Sequence, residues 1–188
     1  MLSVTLWKLV AFSMLAGLLA FAAAGCGGSS QSAQEKWAND VCTQFVNWEK
    51  QMKQLADSAK GVISSPSSQS IDSLKTDAQD AVNATKDLET NLKNLSPPPG
   101  QDGQTAKDSL TTYASQVNKT VTSLQGSASS LSSSSSLTQA ASVLTAAAGQ
   151  ISTFSAQTKT ALDSAKQTSS ELKSGFEDAS ACKDLQGS

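Results

Sequence analysis

Val41, Phe45, Trp48, Met52, Leu55, Ala59 and Val62 follow one another at intervals of 4, 3, 4, 3, 4 and 3 residues. That spacing lines apolar side chains along one stripe of an α-helix, whereas a strand turns every second residue to the other face. Trp37 extends the stripe by one turn, and Glu49 and Lys53 lie four apart off it, as an exposed helix pair does. The spacing predicts a helix over about 34–63.

Three more segments repeat the pattern. "SSPSSQS" at Ser64–Ser70 interrupts the first with a proline among capping residues. The second stripe is Ile71, Leu74, Ala78, Ala81, Thr85, Leu88, Leu92 and Leu95, with Asp72 in its first turn, where the helix dipole favours negative charge. "SPPPG" at Ser96–Gly100 ends it, because proline cannot continue the helical ladder. The third stripe runs Ala106, Leu110, Tyr113, Val117, Val121, Leu124, Ala128, Leu131, and a serine-rich turn follows over Ser127–Ser136. The fourth begins at Leu137 and passes through Leu144, Ile151, Phe154, Thr158, Ala165, Leu172 and Phe176 to Ala179. No alternating strand pattern of useful length appears.

The fold expected is therefore all-α: an antiparallel, up-down-up-down four-helix bundle with long, coiled-coil-like helices. One length conflicts with it. The fourth stripe is nearly twice as long as the second, so either it breaks near Gly149, or residues 124–150 form a two-helix arm projecting past the shorter helices. The arm is the preferred expectation. Leu, Ile, Val and Phe make up only roughly a sixth of the chain after residue 25, a composition that raises the question of disorder. Low net charge and regular stripes favour a folded bundle with close Ala/Thr seams.

The N-terminus has a different grammar. Lys8 precedes an apolar run from Leu9 to Ala24, closed by small residues, which is the layout of a secretory signal over residues 1–25. The run is shorter than the roughly 20 residues that span hydrocarbon as a helix. Ala23-Ala24-Gly25-Cys26 resembles the bacterial lipobox, with Ala23 where leucine is usual. On this reading Cys26 is acylated and anchors the chain, since two acyl chains hold a protein firmly at a membrane. Residues 26–33 then form the lipidated end and a Gly/Ser/Gln tether reaching roughly 15 Å from the lipid. Residues 34–188 form the helical domain.

Composition excludes more than the motifs assign. The chain contains no histidine, and all 14 basic residues are lysine. Ser-His-Asp triads, Cys-His dyads, histidine metal sites and arginine clamps on phosphate are therefore outside its means. The formal charge of −2 becomes −3 once Lys8 is removed with the signal, against the basic footprint of a nucleic-acid partner. No enzyme, cofactor or metal site is expected.

Cys42 near the start of the first helix and Cys182 just past the fourth remain. An even number of full-length helices brings both to the same end. An exported location permits a disulfide between them. Trp37, Phe45 and Trp48 cluster at that end beside Phe176 and Leu172; either they fill the core, or they line an apolar ligand pocket or interface. Asp77, Asp80 and Asp87 form an acidic row on the outer face of the second helix, which reads as a solvated surface because calcium loops need flexible, closely spaced oxygens.

The lipobox at Cys26, the "WANDVCTQFVNW" segment, the Ala/Ser/Thr-rich helices, the "PPP" turn and the late lone cysteine together resemble small, uncharacterised lipoproteins of high-GC Gram-positive bacteria. The resemblance implies an extracytoplasmic, membrane-anchored location and a helical fold. The leading expectation is a non-catalytic cell-envelope lipoprotein that binds a partner protein or envelope component. The alternative is a carrier or sensor of a small apolar ligand or lipid held between the helices. An apolar void above roughly 300 Å³ favours the carrier; a filled interior with an exposed apolar stripe favours the first.

Overall fold

The computed structural model describes residues 31–131 and 137–187. The expected signal segment, Cys26 and most of the expected tether lie outside the described residues, as does the second half of the serine-rich run. Six helices make up the described chain: α1 (Ala33–Ser64), α2 (Ser68–Asn94), α3 (Gln101–Ser129), α4 (Leu137–Lys166), α5 (Ser170–Asp178) and α6 (Ser180–Gly187). The described residues contain no strand.

Local chemistry sets the helix ends. Ser32 accepts from the Glu35 amide and starts α1, so the last tether residues already belong to the folded body. Ser67 and Ser70 form a reciprocal capping box that starts α2. After the three prolines, Gly100 adopts φ 106°, a left-handed conformation open to glycine, and leads into α3. The seven residues of the first stripe are all buried, as are Ile71, Leu74, Ala78, Ala81, Thr85, Leu88 and Leu92 of the second.

Neighbouring helices meet in register. Along the α1/α2 seam, Asn91 donates to Gln44 at 2.8 Å, Trp48 Nε1 to Thr85 Oγ1 at 2.9 Å, and Ser58 to Asp77. Between α2 and α3, Asn118 donates to Glu89 at 2.9 Å and Gln125 to Gln79 at 3.3 Å. Tyr113 on α3 meets Thr158 on α4 at 2.9 Å, and the rings of Trp48 and Phe154 join α1 to α4 at 5.7 Å. Along the α1/α2 and α2/α3 seams, partner numbers fall along one helix as they rise along the other. Thr85 and Thr158, both in apolar stripes, are the two buried polar residues among those described. Each bonds an aromatic side chain from the next helix, so a buried hydroxyl costs little and fixes the register.

The projecting arm is not found. Helix α3 continues to Ser129 and spans 29 residues, close to the 27 of α2 and the 30 of α4. Leu124, Ala128, Leu144 and Ile151 pack against Leu55, Ala59, Leu74 and Ala78 around one shared apolar space. The long fourth stripe does break, but at Gln167–Ser169 and not at Gly149, which lies inside α4. Ser169 caps a new helix by accepting from the Leu172 amide at 3.2 Å. The excess length folds back as α5 and α6, both of which pack on α1.

Candidate functional site

The cysteines expected to pair do so. Cys42 and Cys182 form a disulfide with Cα atoms 5.0 Å apart, and both residues are buried. Cys182 lies within α6 rather than in a tail after α4, so two short helices carry it back to α1. Asn39 fixes the approach: its Oδ1 accepts from Ser180 Oγ and from the Ala181 amide, each at 3.1 Å, and so caps α6. Nearby, a Cβ on Gly175 would lie 2.7 Å from the Gln34 carbonyl carbon. Only glycine lets α5 come that close to α1.

The four aromatic candidates divide into two groups inside the body. Trp37 meets Phe176 edge-on, with ring centroids 5.7 Å apart, beside the disulfide. Phe45 contacts Trp48 at 6.5 Å and Tyr113 at 6.1 Å, and Trp48 touches Phe154. None of Trp37, Phe45, Trp48 and Phe176 is more than 4% exposed. Their faces meet one another and not solvent, which is the geometry of core filling.

Space for a ligand lies elsewhere, and it is unevenly distributed. The enclosed apolar space between Leu55, Leu74, Leu124 and Leu144 holds only about 20 Å³. On the α3/α4 seam, Tyr113, Gln116, Val117, Phe154, Gln157 and Ala161 line an open groove of about 530 Å³, with no charged residue in its lining. On the α1/α2 seam a second open groove, of about 490 Å³, is lined by amides and carboxylates over a floor of Trp48, Ala84 and Leu88. The sequence row of acids is thereby divided. Asp77 is half-buried and accepts from Gln54 and Ser58 across the seam, while Asp80 and Asp87 line the polar groove. The groove escaped sequence reasoning because its amides come from two helices; Gln44, Asn47 and Gln51, at helical spacing, were the available signal.

Three of the described titrating groups are displaced; one is Glu171 at the start of α5, whose carboxyl is lowered chiefly by a backbone hydrogen bond and then by Ser170. Burial, the largest cause, pushes the Tyr113 hydroxyl up to about 12; the negative charge of Glu49 adds to this, and the Thr158 hydrogen bond opposes it. The hydrogen bond from Lys93 holds the Glu89 carboxyl below its usual value, against partial burial and with help from Asn118. Among the described residues, no group of three or more His, Cys, Asp or Glu side chains is placed to hold a metal ion. No described helix is long and apolar enough to cross a membrane. Protein-family models, curated proteins and solved structures give no match to the chain.

Proposed function

We propose that the chain is a non-catalytic cell-envelope lipoprotein, anchored through acylated Cys26 on the extracytoplasmic side of the membrane. Its helical body binds a partner protein or an envelope component at its outer surface. On this reading α1–α4 form an antiparallel, up-down-up-down bundle, with α5 and α6 folded back on α1. The opposed numbering of partners across the α1/α2 and α2/α3 seams supports that architecture.

The filled interior is the observation that carries the surface-binding reading; the exposed apolar stripe expected with it is not seen among the described residues, where Ile63 is the one exposed large hydrophobic. Small-molecule sites typically enclose roughly 300–1,000 Å³, far more than the 20 Å³ held between the helices. The apolar N-terminal run closed by Gly25-Cys26 supports the anchor. The complete lack of histidine and arginine supports a role without catalysis.

Native mass spectrometry of the chain extracted from its own envelope tests the proposal. The expected species begins at Cys26, carries a diacylglycerol mass, and retains no further lipid. An intact, unacylated N-terminus would overturn the anchor. A retained lipid-sized mass would transfer the assignment to the second reading, a carrier or sensor of a small apolar ligand. That second reading draws on the uncharged α3/α4 groove, whose 530 Å³ lies in the small-ligand range.

A further inference from the structure

The polar groove between α1 and α2 sets amides and carboxylates of two helices face to face. Gln44, Asn47 and Gln51 stand at i, i+3 and i+7 on α1, one above another on a single face. Facing them across the seam are Asp80, Asn83, Asp87 and Asn91 of α2, with the same spacing through Asp87. No lysine enters the lining.

Hydrogen bonds fix the direction in which several of these groups point. Asn91 Nδ2 donates to Gln44 Oε1 at 2.8 Å, which leaves the Gln44 NH2 and the Asn91 carbonyl free. Gln79 donates to Asn83 Oδ1 at 3.1 Å, which leaves the Asn83 NH2 free. Asp80 and Asp87 offer acceptors only, since an ionised carboxylate has no proton to donate. With the Gln44, Asn83 and Asn91 amides thus oriented, the groove presents donors and acceptors around the partly exposed Ala84, with Trp48 and Leu88 buried beneath.

We infer that this groove binds a neutral, hydroxyl-rich ligand, namely a saccharide chain laid along the α1/α2 seam. Vicinal hydroxyls are donor and acceptor at once, so each pair matches one planar amide or carboxylate edge. The C–H face of a sugar ring matches the Ala84 methyl between the polar rows. Asp80 and Asp87, with no lysine in the lining, repel phosphorylated, sulfated or uronic-acid saccharides. The same chemistry serves a free polysaccharide or the sugar headgroup of a glycolipid. The inference deepens the surface-binding reading by giving the envelope component a chemical class.

The test is amide NMR of the full-length chain in a sugar-free detergent, where side-chain NH2 signals of Asn and Gln report directly. Neutral gluco-oligosaccharides, N-acetylhexosamine oligosaccharides and oligouronates are added in turn. Expected are shifts of the Gln44, Asn47, Gln51 and Asn83 side-chain signals with a neutral sugar, at a dissociation constant of about 1 mM or tighter. Asn47→Ala and Asn83→Ala should each weaken binding roughly fivefold or more, while Gln116→Ala in the α3/α4 groove leaves it unchanged. Phosphatidylcholine vesicles with and without a neutral glycolipid separate the two sources: binding to glycolipid vesicles alone assigns a headgroup, and binding to soluble oligosaccharide assigns a polysaccharide.

Silent side-chain amides with every sugar, equal binding of oligouronates, or indifference to both asparagine variants would overturn the inference. These outcomes are distinct from failure of the anchored surface-binding reading, which is decided by mass. An acylated, lipid-free chain with silent amides rejects the saccharide alone.

Discussion

Around the disulfide, where α5 and α6 lie on α1, the chain packs large rings, a covalent bridge and a side-chain cap: Trp37 against Phe176, Cys42 to Cys182, Asn39 onto α6. Around Leu55, Leu74, Leu124 and Leu144, only aliphatic side chains meet (leucines, alanines, one valine and one isoleucine), with about 20 Å³ left unfilled. The first region is held by specific, individually costly devices. The second depends on regular heptad spacing between helices of nearly equal length. Short helices such as α5, with 9 residues, and α6, with 8, fall below the length at which isolated helices persist in water. They therefore need the bridge and the close contacts; the long helices do not.

Removing the bridge should break the comparison most sharply. Cys42→Ala with Cys182→Ala opens a loop of 140 residues, worth about 5 kcal/mol in the chain-entropy model. Urea unfolding of the double variant should show that loss, and hydrogen exchange should rise first in α5 and α6. Equal rises at both ends would contradict the division.

Single large-to-small changes come next. Phe176→Ala should cost about 3–5 kcal/mol and Leu144→Ala about 2–5 kcal/mol, both side chains being fully buried. Exchange measurements should place the first loss in α5 and α6 and the second at the Leu-rich end. Gly175→Ala forces α5 off Gln34 and should cost about 1–3 kcal/mol as overpacking. Its exchange signature should match that of Phe176→Ala and leave α2 unaffected.

Tyr113 gives the smallest effect and belongs to neither end. Its hydroxyl is pushed up to about 12 when folded, against about 10 when unfolded. The unfolded chain therefore loses this proton first, and stability falls as pH rises from about 10 toward 12, by on the order of 1 kcal/mol for a partly exposed group. It is the one tyrosine in the chain, so its absorbance reads the titration cleanly. The loss should be the same with the disulfide oxidised or reduced.

How much of this was legible in the sequence follows from the same contrast. Regular heptads carry their own evidence: Val41 through Val62 and Ile71 through Leu92 are buried as their spacing predicts. The pairing of Cys42 with Cys182 was also readable. The break at Gln167–Ser169 was not, because no glycine or proline marks it, and Leu172 and Phe176 continue the heptad phase across it. Ser169 followed by Glu171 carried a capping signal that the unbroken stripe concealed. The expected arm rested on the length of the unbroken fourth stripe, so it failed with the same missed break: the excess residues form α5 and α6. The polar groove depends on which faces of two helices meet, and that is set by tertiary packing.

Cys42 and Cys182 enclose nearly all of the helical body in one covalent ring. A protease that cuts the backbone once anywhere within that ring releases nothing, because both products stay tethered through sulfur. Damage in an oxidising environment would thus leave the molecule apparently whole until a thiol reductant parted the fragments.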